Sequence, residues 1–172
     1  MRQSKTKKLS IAGLFCALAV VGSFISFPVF ASKCAPIQHM INIMCAVSLG
    51  PSYGVGVAFV ASFIRNLMGL GSLMAFPGSM FGALFCGLAY RYTKKIIPTL
   101  IGEVFGTAII GGLSAYPVAI FLIGVPAGSV TFYAYIIPFF VSTAVGAIIS
   151  SIMLFSLEKT KVLYRMQASL NE

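Results

Sequence analysis

Long apolar runs, separated by short stretches rich in turn residues, make up most of this chain. Between Leu9 and Leu157 only six charged residues interrupt them. Each run is long enough to cross roughly 30 Å of hydrocarbon, or is shorter where two runs are joined by a tight turn. The pattern predicts a bundle of six transmembrane helices, at about residues 9–30, 37–49, 52–69, 77–90, 98–123 and 132–157.

Glycines and prolines support these boundaries. Pro28 and the segment Ala31–Pro36 should end the first span, and Gly50-Pro51 should turn the second span into the third. Within the runs, small residues recur four positions apart, as at Gly78 and Gly82. Such spacing lets helix backbones approach closely in a membrane, and we expect most of these pairs to pack inside the bundle.

The composition is that of an integral membrane protein. Of the 172 residues, 59% are hydrophobic and 9% are charged, and the mean hydropathy is +0.99. A small soluble domain could not bury so much apolar surface. We therefore expect one all-α membrane domain over residues 1–172. The basic N-terminal start resembles a signal peptide, but its apolar stretch is long and more spans follow, so we expect a retained first span.

The net charge of +9 would indicate nucleic-acid binding in a soluble chain. Here the basic residues flank apolar runs, so we expect a lipid bilayer and no nucleic acid as the partner. They form three clusters: Arg2, Lys5, Lys7 and Lys8; Arg91, Lys94 and Lys95; Lys159, Lys161 and Arg165. Six spans put all three clusters on one side. The positive-inside rule then predicts a multi-pass protein of a prokaryotic plasma membrane with both termini in the cytoplasm.

Polar residues within the spans are candidates for function, because a charge inside a bilayer costs several kcal/mol unless it faces protein, water or a partner. In the six-span topology, polar side chains from separate spans reach the outer end of the bundle: Gln38, His39, Asn42, Arg65, Asn66, Ser79 and Tyr116. They predict an outward-facing pocket for a small polar, partly aromatic molecule. As an alternative, His39 only marks a hydrated helix start and Asn42 only bridges helices.

Glu103 lies early in the fifth span, nearer the cytoplasm than these residues. Three roles are open to it. It can pair with a basic inner loop, bond to groups within the bundle, or reach the floor of the pocket.

Catalysis has little support in the sequence. The chain has one histidine and three acidic residues, and its cysteines lack metal-ligand spacing. No phosphate-binding glycine motif is present, so we expect no enzyme activity, metal or cofactor. The six runs also lack the paired halves of secondary carriers. A binding subunit that depends on partner proteins for energy fits better.

Four segments carry a resemblance to a known family. They read PIQHMIN from Pro36, SFIRNLMG from Ser62, AFPGSMFG from Ala75 and GEVFGT from Gly102. They resemble the ThiW family, the substrate-binding S components of energy-coupling factor (ECF) transporters assigned to the thiazole precursor of thiamine. The resemblance spans nearly the whole chain. It implies capture of hydroxyethylthiazole from outside, with import driven by a transmembrane coupling subunit and two cytoplasmic ATPases.

The resemblance also implies a docking face on the first helix, where S components carry a patch of small residues. The matching positions are Ala12, Gly13, Cys16 and Ala17. Other functions stay open: an S component for another vitamin or heterocycle such as thiamine, a membrane enzyme, or a structural subunit. The absence of tryptophan and the single acidic residue within the spans favour a neutral thiazole over cationic thiamine.

Overall fold

The computed structural model describes residues 2–29 and 32–171. This part of the chain forms a helical bundle with one small β-hairpin. Its elements are α1 (Arg2–Gly22), β1 (Phe27–Val29), β2 (Ser32–Cys34), α2 (Pro36–Ser48), α3 (Pro51–Leu67), α4 (Ala75–Thr93), α5 (Ile96–Ile123), α6 (Ile136–Lys159) and α7 (Val162–Asn171).

Helix α2 lies at the centre of the bundle. It has only 13 residues, of which ten are buried, and it packs against every other helix. Pro36 starts it, since proline at the first helical position needs no backbone donor. Because α2 is surrounded on all sides, its polar residues Gln38, His39 and Asn42 must find partners inside the protein.

The first predicted span is wrong beyond residue 22. Helix α1 ends at Gly22, and the chain then forms the antiparallel hairpin of β1 and β2, in which Phe27 pairs with Cys34 and Pro28 with Lys33. The residues before Pro28 are apolar, so hydropathy predicts that the helix continues through them. Proline has a fixed φ and no backbone N–H donor, which is compatible with an edge strand. The predicted loop residue Ala31 lies outside the described residues.

Helix α5 departs from regular α-helical geometry at two places. It is π-helical over Phe105–Gly111 and again over Ala119–Ile123. Such stretches insert an extra residue into a turn and are often found at functional sites. The first π-helical stretch carries Thr107, which is 1% exposed and faces the centre of the bundle.

Close approach of α4 and α5 depends on glycine, as the four-residue spacing predicted. A Cβ added at Gly82 would collide with the side chains of Thr107 and Glu103, and one at Gly106 would lie 2.6 Å from the carbonyl oxygen of Phe81. No side chain fits at either position without moving its neighbours. The prediction of internal small-residue packing is therefore confirmed for this pair of helices.

The start of α1 and the end of α6 lie at the far end of the bundle, opposite the hairpin. The short helix α7, which the sequence analysis did not predict, packs across this end through Leu163, Met166 and Leu170. Gln167 on it donates to the Val47 carbonyl oxygen and to the Tyr90 hydroxyl, each at 2.8 Å. Two of the three predicted basic clusters meet here: a cleft at this end is lined by Lys8, Arg91 and Lys94, together with Gln167.

Two helices in the described residues, Ile96–Ile123 and Ile136–Lys159, are long and apolar enough to cross a membrane. Many large apolar side chains also point outward. Phe121 is 82% exposed and Ile152 is 69% exposed. A soluble monomer rarely carries so much apolar surface, and lipid provides the matching environment.

Candidate ligand-binding site

A small polar cavity opens at the hairpin end of the bundle. It lies where α2, α4 and α6 begin and α3 ends, and its volume is about 40 Å³. That is room for one or two water molecules, so a heterocycle requires the surrounding side chains to move apart. The lining residues are Lys33, Ala35, Gln38, His39, Arg65, Ser72, Ala75, Gly78, Ser79, Thr107, Phe139 and Ser142.

Glu103 is the centre of the hydrogen-bond network next to this cavity. It is fully buried, and its Oε1 accepts bonds from His39 Nδ1 at 2.9 Å, Asn42 Nδ2 at 3.0 Å and Thr107 Oγ1 at 3.2 Å. Its Oε2 is buried without a partner among the described residues. A carboxylate in an apolar bundle needs such donors. The bond from Nδ1 also fixes the orientation of the His39 ring, so that Nε2 is the ring nitrogen not bonded to Glu103.

A chain of amides connects Glu103 to the cation Arg65. Asn42 donates to Glu103, Gln38 Nε2 donates to Asn42 Oδ1 at 3.2 Å, and Arg65 NH1 donates to Gln38 Oε1 at 3.3 Å. Both amides point their oxygens toward Arg65 and their NH₂ groups toward Glu103. Dipoles in this direction favour both charges, and hydrogen bonds in a chain polarise one another.

Hydroxyl and amide groups tie the remaining wall together. Ser62 and Ser79 share a hydrogen bond of 2.9 Å between α3 and α4. Asn66 donates to the carbonyl oxygens of Ser62 at 2.8 Å and Ser72 at 3.1 Å. Asn66 thus holds the turn after α3 against the helix, which places Ser72 at the cavity.

The hairpin is fastened to the start of α6 by two buried contacts. The backbone N–H of Ala35 donates to Ser142 Oγ at 2.9 Å, and Cys34 Sγ donates to the Pro138 carbonyl oxygen at 3.3 Å. Burial raises the pKa of the Cys34 thiol, which keeps the proton needed for this bond. The hairpin therefore forms one side of the cavity mouth, and Lys33 lies on it.

The structure brings most of the predicted site residues together. Gln38, His39, Arg65 and Ser79 line the cavity. Asn42 and Glu103 lie behind this lining as buried support for His39. Of the three roles left open for Glu103, bonding within the bundle is the one the structure has, since its partners come from α2 and from its own helix.

Two predicted residues lie apart from the cavity lining. Asn66 bonds to backbone groups of the neighbouring turn. Tyr116 packs against a separate cluster that contains Met74, Ala115 and Tyr135. The aromatic ring among the lining residues is instead that of Phe139 on α6.

The sequence analysis missed Lys33, Thr107, Phe139 and Ser142. Thr107 could have been found, because it follows Glu103 by four residues and therefore shares its helix face. Lys33 lies in the gap between the first two predicted spans, where a basic residue indicates topology rather than a binding site. Phe139 and Ser142 lie in an apolar run like many others, and nothing in their local sequence distinguishes them.

The predicted docking residues of α1 divide between two faces. Ala12 and Cys16 are buried in the core, whereas Gly13 and Ala17 are exposed. A Cβ added at Gly13 would meet nothing within 4 Å. All four border an apolar groove of about 720 Å³ between α1 and α3.

Comparisons with known proteins agree on fold and family. The chain matches the family described as "Thiamine-precursor transporter protein (ThiW)" over residues 9–160. A solved structure described as the S component of a bacterial ECF transporter is 20% identical and has a TM-score of 0.75. The match covers 91% of this chain and 98% of that one.

No curated protein sequence matches the chain significantly. The solved structure shows the likeness of fold, and the family match covers most of the sequence. The chain is thus a membrane protein with an S-component fold, and it belongs to the ThiW family of thiamine-precursor transporters.

Proposed function

We propose that this protein is the substrate-capturing subunit of an ATP-driven ECF importer and that its ligand is hydroxyethylthiazole or a close thiazole. One observation carries the proposal: a polar cavity opens at one end of an otherwise apolar bundle, and the buried network of Glu103, His39 and Asn42 supports it. Buried ionisable groups inside a membrane protein are costly and usually serve a ligand or an ion.

The cavity end faces the outside of the cell in this proposal. Six helices cross the plasma membrane, and both termini lie in the cytoplasm. The support is that basic residues from two segments, Lys8 at the start of the chain and Arg91 and Lys94 after α4, lie together at the end opposite the cavity, which matches the positive-inside rule. Helix α2 is the second of the six and is short for a membrane span, but its neighbours enclose it, so it does not have to cover the full thickness of the lipid itself.

The lining chemistry suits a thiazole with a hydroxyl-bearing side chain. The flat apolar ring matches the aromatic wall of Phe139. The ligand hydroxyl can donate to Ser79 Oγ or Thr107 Oγ1, since these oxygens can still accept although their own protons are donated to Ala75 and Glu103. His39 offers the ligand its second ring nitrogen, Nε2, as a hydrogen-bonding partner. Asn42 and Glu103 orient His39, while Asn66 shapes the wall through its backbone bonds.

Partner docking uses the exposed side of α1. Gly13 and Ala17 leave a smooth surface on which a helix of the coupling subunit can approach closely. That subunit, with two cytoplasmic ATPases, supplies the energy for release. Ala12 and Cys16 support this face from the inside, since both are buried.

The rival functions are capture of another vitamin or heterocycle and a membrane enzyme or structural role. Cationic thiamine fits the site less well, since Lys33 and Arg65 line the cavity and no acidic residue is among the lining residues.

A titration of the purified protein in detergent with hydroxyethylthiazole, thiamine and riboflavin separates these functions. We expect hydroxyethylthiazole to bind most tightly, without turnover. Tight binding of another vitamin in its place would refute the substrate assignment, and chemical conversion of a ligand would indicate an enzyme.

A further inference from the structure

Arg65 is a buried cation with most of its hydrogen-bonding capacity unused. It lies in the last turn of α3, is 3% exposed and lines the cavity. A guanidinium carries five N–H donors. Among the described residues, only Gln38 accepts a hydrogen bond from it, at 3.3 Å, and its Nε is buried without a partner.

No acidic side chain in the described residues forms a salt bridge with Arg65. The sequence has three acidic residues, Glu103, Glu158 and Glu172. Glu158 is exposed near the end of α6, at the opposite end of the bundle from the cavity. Glu103 is connected to Arg65 only through two intervening amides, and its Oε1 is already shared by three donors. The amide chain therefore occupies one guanidinium donor and leaves the others available.

A second cation, Lys33, lines the same cavity from the hairpin. Two cations, the buried Arg65 and the exposed Lys33, and no acid therefore border a small space that is open on one side. Electrostatic attraction is strong where water is scarce, and a guanidinium is shaped to bind a carboxylate or phosphate through two parallel hydrogen bonds.

We propose that the Arg65 side of the cavity is an anion-binding subsite and that the preferred ligand carries a carboxylate or phosphate group. This inference rests on the proposed function and narrows its substrate class. Within the thiazoles, it selects an anionic derivative over the neutral alcohol. The anionic group lies against Arg65 and Lys33, and the ring lies toward His39 and Phe139.

The test is a calorimetric titration of the full chain in detergent at low salt with three thiazoles. They are hydroxyethylthiazole, its phosphate ester and 4-methylthiazole-5-carboxylate. We expect at least one anionic compound to bind tenfold or more tightly than the alcohol, and the better of the two identifies the anionic group. Equal or tighter binding of the alcohol would overturn the anion subsite and leave the proposed function standing. If none of the three binds, the proposed function itself fails, and the inference fails with it.

Three variants test whether the preference for the anionic thiazole arises at the Arg65 side of the cavity. Arg65→Gln should bring the ratio of anion to alcohol affinity close to one, Arg65→Lys should keep part of it, and Lys33→Gln should lower it several-fold. Arg91→Gln, which removes an exposed cation at the opposite end, should leave the ratio unchanged. If Arg65→Gln does not fold, Arg65→Lys and Lys33→Gln still decide the matter. An unaltered ratio in both of them would overturn the proposal.

Discussion

Replacement of Glu103 tests whether the buried network organises the binding site. Glu103→Ala removes the common acceptor of His39, Asn42 and Thr107, so each loses one hydrogen bond, although Asn42 Nδ2 keeps its bond to the Ser79 carbonyl oxygen. Each stranded donor costs about 1–3 kcal/mol. Relief of the desolvated carboxylate offsets part of this, so the net cost is smaller than the sum for three donors and comes to about 3–5 kcal/mol. We expect a loss of stability in the same range.

Glu103→Gln should be milder. The amide keeps one carbonyl oxygen where Oε1 lies, so it can still accept from His39 and Asn42. It loses the charge that strengthens these bonds, which costs roughly 1–2 kcal/mol. Its new NH₂ group would take the position of Oε2, which has no partner among the described residues. The expected order of stability is therefore wild type, then Glu103→Gln, then Glu103→Ala.

Thermal unfolding in detergent measures this order, and ligand titration measures its effect on the site. In a protein of this size about 1 kcal/mol shifts the melting temperature by roughly 2–4 °C. Glu103→Ala should therefore melt about 10 °C lower than wild type. It should also bind ligand at least tenfold more weakly, because His39 loses its orientation. Glu158→Gln, an exposed acid on α6, is the matched control. Wild-type melting and affinity in Glu103→Ala would refute this account of the network.

Three further predictions follow from the same contacts. Gly82→Ala should destabilise the protein by about 1–3 kcal/mol, because its Cβ collides with Thr107 and Glu103. The control Gly56→Ala, whose Cβ meets nothing within 4 Å, should leave stability unchanged. Equal melting temperatures for the two variants would contradict the prediction. His39→Ala and Asn42→Ala should each weaken ligand binding by about tenfold to a hundredfold, the cost of a buried hydrogen bond, and unchanged affinity in both would move the site elsewhere. Gly13→Leu or Ala17→Leu should abolish uptake in cells while the purified protein keeps its ligand affinity, and full uptake in both would exclude this face of α1 as the docking surface.

Hydropathy predicted the helices well where a run ends at a strong turn signal. Helices α2, α3 and α5 begin or end within two residues of the expected positions, since Pro36, Gly50-Pro51 and Gly124 interrupt the pattern. The hydropathy prediction was wrong where an apolar segment does not form a helix. The segment Phe27–Val29 is a strand, yet hydropathy alone does not distinguish it from helix. The segment Val162–Asn171 shows the opposite error: it forms a helix that packs on the bundle, although its polar composition does not predict one.

The candidate site was predictable as a group of polar residues but not as a geometry. Their common level follows from helix order and direction, which the turn signals and basic clusters determine. Which side chain lines the cavity depends on helix rotation, and no sequence signal reports it. Glu103 shows the difference. By residue count it lies deeper than His39, but its long side chain reaches Asn42 and His39. Tyr116 lies about two and a half turns beyond Thr107 and faces a different cluster.

Because the cavity is small, one of its sides has to move before a heterocycle can bind, and the contacts on each side indicate which one. Glu103, Asn42 and Thr107 are at most 1% exposed and tightly bonded, so this side has little freedom to retreat from a ligand. Among the described residues, two hydrogen bonds fasten the opposite side, from the hairpin end to α6: the Ala35–Ser142 bond and the weaker Cys34–Pro138 bond. A bond that involves sulfur is weaker than one between nitrogen and oxygen. In the proposed function we therefore expect space for a heterocycle to come from the hairpin side, while lining groups such as His39, held in place by the buried network, keep their positions.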